Sequence, residues 1–257
     1  MDIRAFNREA WDKQVKSGQN PWTQPVSPEA IAAARQGDFS VLLTEQKPVP
    51  QDWIPPLKGL DVLCLASGGG QQAPVFAAAG ANVTVLDNSP KQLERDRLVA
   101  HRDGLQLITV EGDMRDLSIF ADESFDFIFH PVSNVFCPDV LPVWREAYRV
   151  LRFGGTLVSG MMNPVFYMFD FPAMEQKGEL NVTHSIPYSD ADSLSPEALE
   201  QLRKNGTPLE FGHTLTDLIG GQCHAGFQII DFYEDFMKEL PLSKYHPIYM
   251  ATRASKP

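Results

Sequence analysis

From Leu60 to Met161, short apolar runs alternate with amphipathic stretches, and this alternation constrains the chain more than any other feature. Parallel strands joined by helical crossovers read this way. Strands are predicted over residues 61–66, 82–86, 105–110, 125–130 and 156–161, each β-branched or apolar enough to be covered on both faces. The expected class is α/β, a doubly wound sheet of five parallel strands with helices on both faces. Ser89 as N-cap, Pro90 at the first helical position and Gln92 as capping-box partner open the helix after the second strand. Before the fifth strand, Val140, Val143, Trp144, Ala147, Tyr148 and Leu151 form one apolar helical stripe, expected to stop at Gly154-Gly155.

Around a core at 57–161, residues 1–56 read as a helical arm or lid. It carries a helix near 6–16, a loop at 17–25, a second helix from Ser27-Pro28 to about Gly37, and a Pro-rich connector at 48–56. Residues 162–226 form a substrate-side insertion, in which 180–188 alternates like a strand and 196–204 reads as a short helix. The last strands, 227–233 and 246–251, lie too close for a parallel crossover helix and should pair antiparallel at one sheet edge. A chain of 257 residues with this plan is one domain.

Lys and Arg total 22 against 33 Asp and Glu, and a net charge of −11 opposes attraction to nucleic-acid backbones or anionic lipid. No apolar stretch approaches the ~18 residues of a membrane span, and Met1-Asp2-Ile3-Arg4 does not open a signal peptide, so a soluble cytoplasmic protein is expected. Cys64, Cys137 and Cys223 are too scattered for a disulfide framework, and the histidines form no zinc-binding pair; reduced thiols and no metal are expected.

The chemistry gathers at strand ends. The first strand runs into Ala66-Ser67-Gly68-Gly69-Gly70-Gln71-Gln72, a turn whose backbone a ligand can approach closely. About 20 residues on, Asp87 ends the second strand, where a carboxylate can accept both hydroxyls of a ribose. Together they suit a cofactor containing adenosine. Gly68-x-Gly70-x-x-Ala73 also satisfies the dinucleotide fingerprint, which leaves an NAD(P)-dependent oxidoreductase open. Asp113, in Glu111-Gly112-Asp113-Met114, is placed to accept from an adenine amino group, and the fourth strand delivers His130 to the same rim.

These motifs, with Asp87-Asn88-Ser89, the Phe125-Asp126 entry to strand four and Arg149-Val150-Leu151-Arg152-Phe153-Gly154-Gly155 before strand five, resemble the class I S-adenosylmethionine-dependent methyltransferases that act on small molecules. The resemblance implies a Rossmann-like sheet and direct in-line methyl transfer from S-adenosylmethionine, leaving S-adenosylhomocysteine. It implies a cofactor site at Ala66, Ser67, Gly68, Gly69, Gly70 and Gln71, then Asp87, Asn88 and Gln92, then Gly112, Asp113, Met114 and His130. Cys64 and Ala66 stand where the family commonly has an acid and a glycine, which leaves His130, Asn20 or backbone carbonyls to meet the cofactor's amino group; Phe153 replaces a proline.

A sulfonium methyl is already electrophilic, so alignment and water exclusion are the main demands, with His130 as the general-base candidate. The acceptor pocket is expected from Trp11, Asn20 and Trp22 of the arm, from Asn134, and from Asn163, Phe166, Tyr167, Phe169, His184 and Tyr188 of the insertion. The aromatic insertion could also bury against a second copy in a homodimer. A protein that binds the cofactor without transferring its methyl is the non-enzymatic alternative.

Overall fold

The computed structural model describes all 257 residues. The first five strands are β1 (Asp61–Leu65), β2 (Asn82–Asp87), β3 (Leu107–Glu111), β4 (Phe125–His130) and β5 (Leu151–Met162), and all pair in parallel. After a two-stranded pair, β6 (Tyr188–Ser189) with β7 (Phe211–Gly212), the chain closes with β8 (Gln228–Asp235) and β9 (Tyr249–Ser255). The main sheet has the order β3-β2-β1-β4-β5-β9-β8, with β9 antiparallel to both of its neighbours. The doubly wound core and the antiparallel terminal pair are therefore as the sequence reads.

Strand periodicity builds two cores, because alternate side chains leave a strand on opposite faces. Val62 and Cys64 of β1 join Phe127 and Phe129 of β4 in one cluster with Ile31, Trp53 and Phe76. Leu63 and Leu65 join Ile128 in the other, against Val143, Trp144 and Ala147. The first cluster is covered by α2 (Pro28–Ala34) and α3 (Gln72–Ala78), the second by α5 (Leu141–Val150). Both faces of β1 are thus dry, which explains its unbroken apolar run.

Two local expectations are corrected. The stripe helix stops at Val150, because Leu151 is already extended (φ −79, ψ 137) and opens β5 four residues before Gly155. In place of a glycine stop, buried Lys256 donates from Nζ to the carbonyls of Tyr148 (2.9 Å) and Leu151 (2.8 Å), setting a cation at the helix C-terminus. Residues 180–188 do not form the expected strand; apart from one bridge between Phe169 and Val182, the segment is irregular up to β6. Its apolar positions, Leu180 and Ile186, pack onto a third cluster with Met162, Tyr167 and Tyr249 rather than along a sheet. The expected short helix forms over Pro196–Asn205.

The arm lies over the strand ends. Its first helix, α1 (Ile3–Ser17), meets the core where Arg4 exchanges hydrogen bonds with Asn88, and where the Ser89 hydroxyl donates to Asp12 at 2.7 Å. Farther round, Asn7, 2% exposed, donates to the carbonyls of Phe136 and Leu209 and accepts the Leu209 N–H at 2.7 Å. One amide side chain therefore ties α1, the loop after β4 and the insertion together.

Candidate active site

A cavity of about 450 Å³ opens at the carboxyl ends of the strands, where β2 and β4 flank β1 and the sheet order reverses. Sheet order divides its wall. Ala66, Ser67, Gly68, Asp87, Gln92, Asp113 and Met114 follow β1, β2 and β3, while Val132, Phe136, Met162, Phe166, Glu210 and Tyr249 stand toward β4, β5 and β9. Trp11, Asn20 and Trp22 of the arm complete it, and Trp11 meets Phe136 edge-on with centroids 5.2 Å apart.

The glycine turn is held from within. Gly68 N–H donates to Asp87 Oδ2 at 2.9 Å, and Gly69 and Gly70 donate to the two oxygens of Asp96 at 3.1 Å each. Gly69 and Gly70 thus face the protein, not the cavity. Asp96 belongs to α4 (Pro90–Asp103) and is fully buried; burial pushes its carboxyl up to about 8, with the nearby Asp87 adding to the rise and the two amides opposing it. Asp87 is pushed up to about 6, again by burial, against the amides of Ser89, Gly68 and Asn88. Gly112 stays off the cavity, packed on Leu86.

Asp113 lines the cavity but is gripped by Arg115, whose guanidinium donates at 2.7–3.2 Å to both of its oxygens. Burial acts to raise its pKa, yet the hydrogen bonds and charge of Arg115 outweigh it and hold the carboxyl below the usual range. Gln92 lines the same wall, and its buried Oε1 has no hydrogen-bond partner.

His130 does not reach the cavity. It is fully buried, with Nδ1 2.8 Å from the Leu65 carbonyl and Nε2 2.8 Å from Asn134 Oδ1. Burial lowers its pKa against both bonds, and because the Leu65 carbonyl can only accept, Nδ1–H is the donor to it. Sitting mid-sheet between β1 and β5, the ring is roofed by the loop after β4, whose Ser133 donates to the Ala66 carbonyl at 2.7 Å. Asn134, 1% exposed, is sealed with it.

Of the insertion residues expected at the pocket, Phe166 lines it, whereas Asn163, Tyr167, Phe169, His184 and Tyr188 do not. Asn163 caps the turn at Val165. Phe169 packs on the third cluster, and Tyr167, Tyr188 and His184 stand behind a residue that the sequence did not reveal, Glu210. Tyr167 donates to Glu210 Oε2 at 2.7 Å, Tyr188 stacks on Tyr167 at 5.5 Å, and His184 packs on Tyr188 at 4.9 Å. Asp190 accepts the Tyr188 hydroxyl and the Glu210 N–H. Burial pushes the Glu210 carboxyl up to about 7, with the Tyr167 hydroxyl lowering it and Asp190 raising it. The signal for Glu210 was an acid inside the apolar run Leu209-Glu210-Phe211; for Asp96 it was an acid on the buried stripe of Leu93 and Val99. No group of three or more His, Cys, Asp or Glu is placed to hold a metal ion, and no helix is long and apolar enough to cross a membrane.

A family described as "Methyltransferase domain" matches residues 63–159. The chain is 55% identical over 252 residues to "Uncharacterized methyltransferase YbaJ" of Bacillus subtilis, covering 98% of each. It is 39% identical over 102 residues to the sterol 24-C-methyltransferase of Neurospora crassa, which spans 39% of this chain and 26% of that one. Among solved structures, an S-adenosylmethionine-dependent methyltransferase from Mesorhizobium loti superposes with a TM-score of 0.60 at 18% identity, covering 80% of this chain and 94% of its own. The 1,6-didemethyltoxoflavin-N1-methyltransferase of Burkholderia thailandensis, solved with bound 1,6-didemethyltoxoflavin and S-adenosylhomocysteine, gives a TM-score of 0.56 at 16% identity over 98% of this chain and 88% of its own.

Proposed function

This chain belongs to the class I S-adenosylmethionine-dependent methyltransferases, and from that premise we propose that its cavity holds the cofactor toward β1–β3 and a small-molecule acceptor toward β4, β5 and β9. One observation carries the reading: the glycine amides are spent on Asp87 and Asp96. A turn that binds pyrophosphate must aim those amides at the anion. Here they face the carboxyl groups of Asp87 and Asp96, so the turn suits an uncharged ribose better than a dinucleotide.

The residues present fit S-adenosylmethionine. Lining the cavity, Asp87 would accept from the ribose hydroxyls, Asp113 and Met114 would meet the adenine, and the unpartnered Oε1 of Gln92 would take a donor. Bound there, the cofactor supplies a methyl group made electrophilic by a positively charged sulfur. The chain's own part is to orient and to exclude water: α1 closes over the strand ends, and Trp11 with Phe136 walls the cavity. His130, with both ring nitrogens engaged away from the cavity, serves as a positioning residue for the Leu65 backbone carbonyl and the Asn134 side chain, not as a base.

Calorimetry with S-adenosylmethionine, S-adenosylhomocysteine and NAD tests the reading. Both adenosyl compounds are expected to bind and NAD to give no heat; binding of NAD alone would replace the methyltransferase site with a dinucleotide one. A tritiated-methyl screen over small molecules then separates an enzyme from a protein that only binds the cofactor.

A further inference from the structure

The half of the cavity toward β5 and β9 has an unusual charge pattern. Its apolar wall is built from Val135, Phe136, Met162, Phe166, Phe171 and Met237. The only cations lining the cavity, Arg4 and Arg115, are on the other side, bonded to Asn88 after β2 and to Asp113 after β3. Two carboxylates remain. Glu45 is occupied, accepting the Lys238 N–H at 3.0 Å and the Tyr249 hydroxyl at 3.2 Å. Glu210 is held through Oε2 alone by Tyr167, while Oε1 takes no hydrogen bond from the protein. The groups that face it are Tyr167, Asp190, Tyr188 and Tyr249, with no Lys, Arg or His among those acting on it. His184 acts on Asp190 instead.

We propose that Glu210 selects the methyl acceptor: its free Oε1 receives an N–H or O–H from an apolar, neutral or cationic molecule, and its charge turns away carboxylates and phosphates. The inference rests on reading the cavity as a methyl-transfer site. A fixed carboxylate in a largely apolar pocket has little water to screen it, so a second anion beside it is repelled strongly, while a donor gains a charge-assisted hydrogen bond. Tyr167 and the Asp190 bond to the Glu210 amide keep the carboxylate from swinging out to solvent. That gives the stacked tyrosines of the insertion a purpose: they aim an acid they do not themselves accompany into the cavity.

Three probes of one shape test this: 2-naphthylmethanol, 2-naphthylmethylamine and 2-naphthoate, titrated into the full chain saturated with S-adenosylhomocysteine. At about pH 8 the alcohol and amine are expected to bind at least about tenfold more tightly than the carboxylate. Glu210→Gln should bring the carboxylate within about threefold of the alcohol, whereas Glu45→Gln should leave the order unchanged. In the unmodified protein, lowering the pH from about 8 to 6 should narrow the gap as Glu210 takes up its proton, a readout that needs no variant. Equal binding of the three probes, binding of none, or a gap that neither Glu210→Gln nor acid narrows would overturn the assignment. Failure of S-adenosylhomocysteine itself to bind would instead overturn the methyl-transfer reading beneath it.

Discussion

A Gly70→Ala variant is expected to lose about 3 kcal/mol of unfolding free energy and to bind S-adenosylhomocysteine about 100-fold more weakly. Gly70 has φ +75, a region that costs an L side chain roughly 1–2 kcal/mol. An added Cβ would also lie 2.8 Å from the carbonyl oxygen of Arg95 and 3.0 Å from its carbon. Those atoms belong to the backbone of α4 and cannot rotate away, so overpacking adds roughly 1–3 kcal/mol. Nor can the turn slide, because Gly69 and Gly70 are anchored to a fully buried carboxylate. Gly104→Ala is the matched control: its φ is +63 but nothing lies within 4 Å, so about 1 kcal/mol is expected with no loss of affinity. Urea denaturation and calorimetry read both variants, and a Gly70→Ala protein as stable as its parent would remove the rigid-turn argument.

Asp87→Ala should weaken S-adenosylhomocysteine by about 100-fold, since it removes charge-assisted acceptors for a ribose and frees the Gly68 and Ser89 amides that the carboxylate holds. The same group gives a pH signature. Its carboxyl rises from 3.8 to about 6 in the folded protein, mainly through burial. In the ligand-free protein this contributes stability that is complete below about pH 4 and lost as the pH rises through about 6. Cofactor binding runs the other way, because a ribose needs the ionised acceptor. Affinity should therefore fall about tenfold for each pH unit below about 6, and Asp87→Asn should flatten that slope. A slope shared by the Asn variant would assign the titration elsewhere.

What the sequence disclosed was local. The apolar alternation marked both faces of β1 as covered, and the Ser89-Pro90 start of α4 could be read because the cap is made by neighbours, with the Ser89 hydroxyl accepting Gln92 N–H at 3.1 Å. The glycine turn and Asp87 were legible for the same reason. His130 was misread because reaching a strand end does not decide whether a loop roofs that end; the roof here is residues 131–138, placed by tertiary packing. The insertion was misread more deeply. Its aromatic residues signalled a pocket, and they do form a layer beside one, but the group they present, Glu210, sits about 20 residues beyond Tyr188 and meets them through the β6–β7 pair and the Tyr167 hydroxyl. Likewise Lys256 could not be foreseen as the cap of α5, since the two are 105 positions apart.

The Asn7 bridge gives the mouth of the cavity a built-in gauge. The Leu209 amide proton is shielded by a side chain 202 positions away, on a helix that adds no strand to the sheet. Were that helix to open locally, faster exchange of this one proton with heavy water than of the sheet amides would report it. Slowing of this one proton as ligands fill the cavity would time the closing of the door against the chemistry behind it.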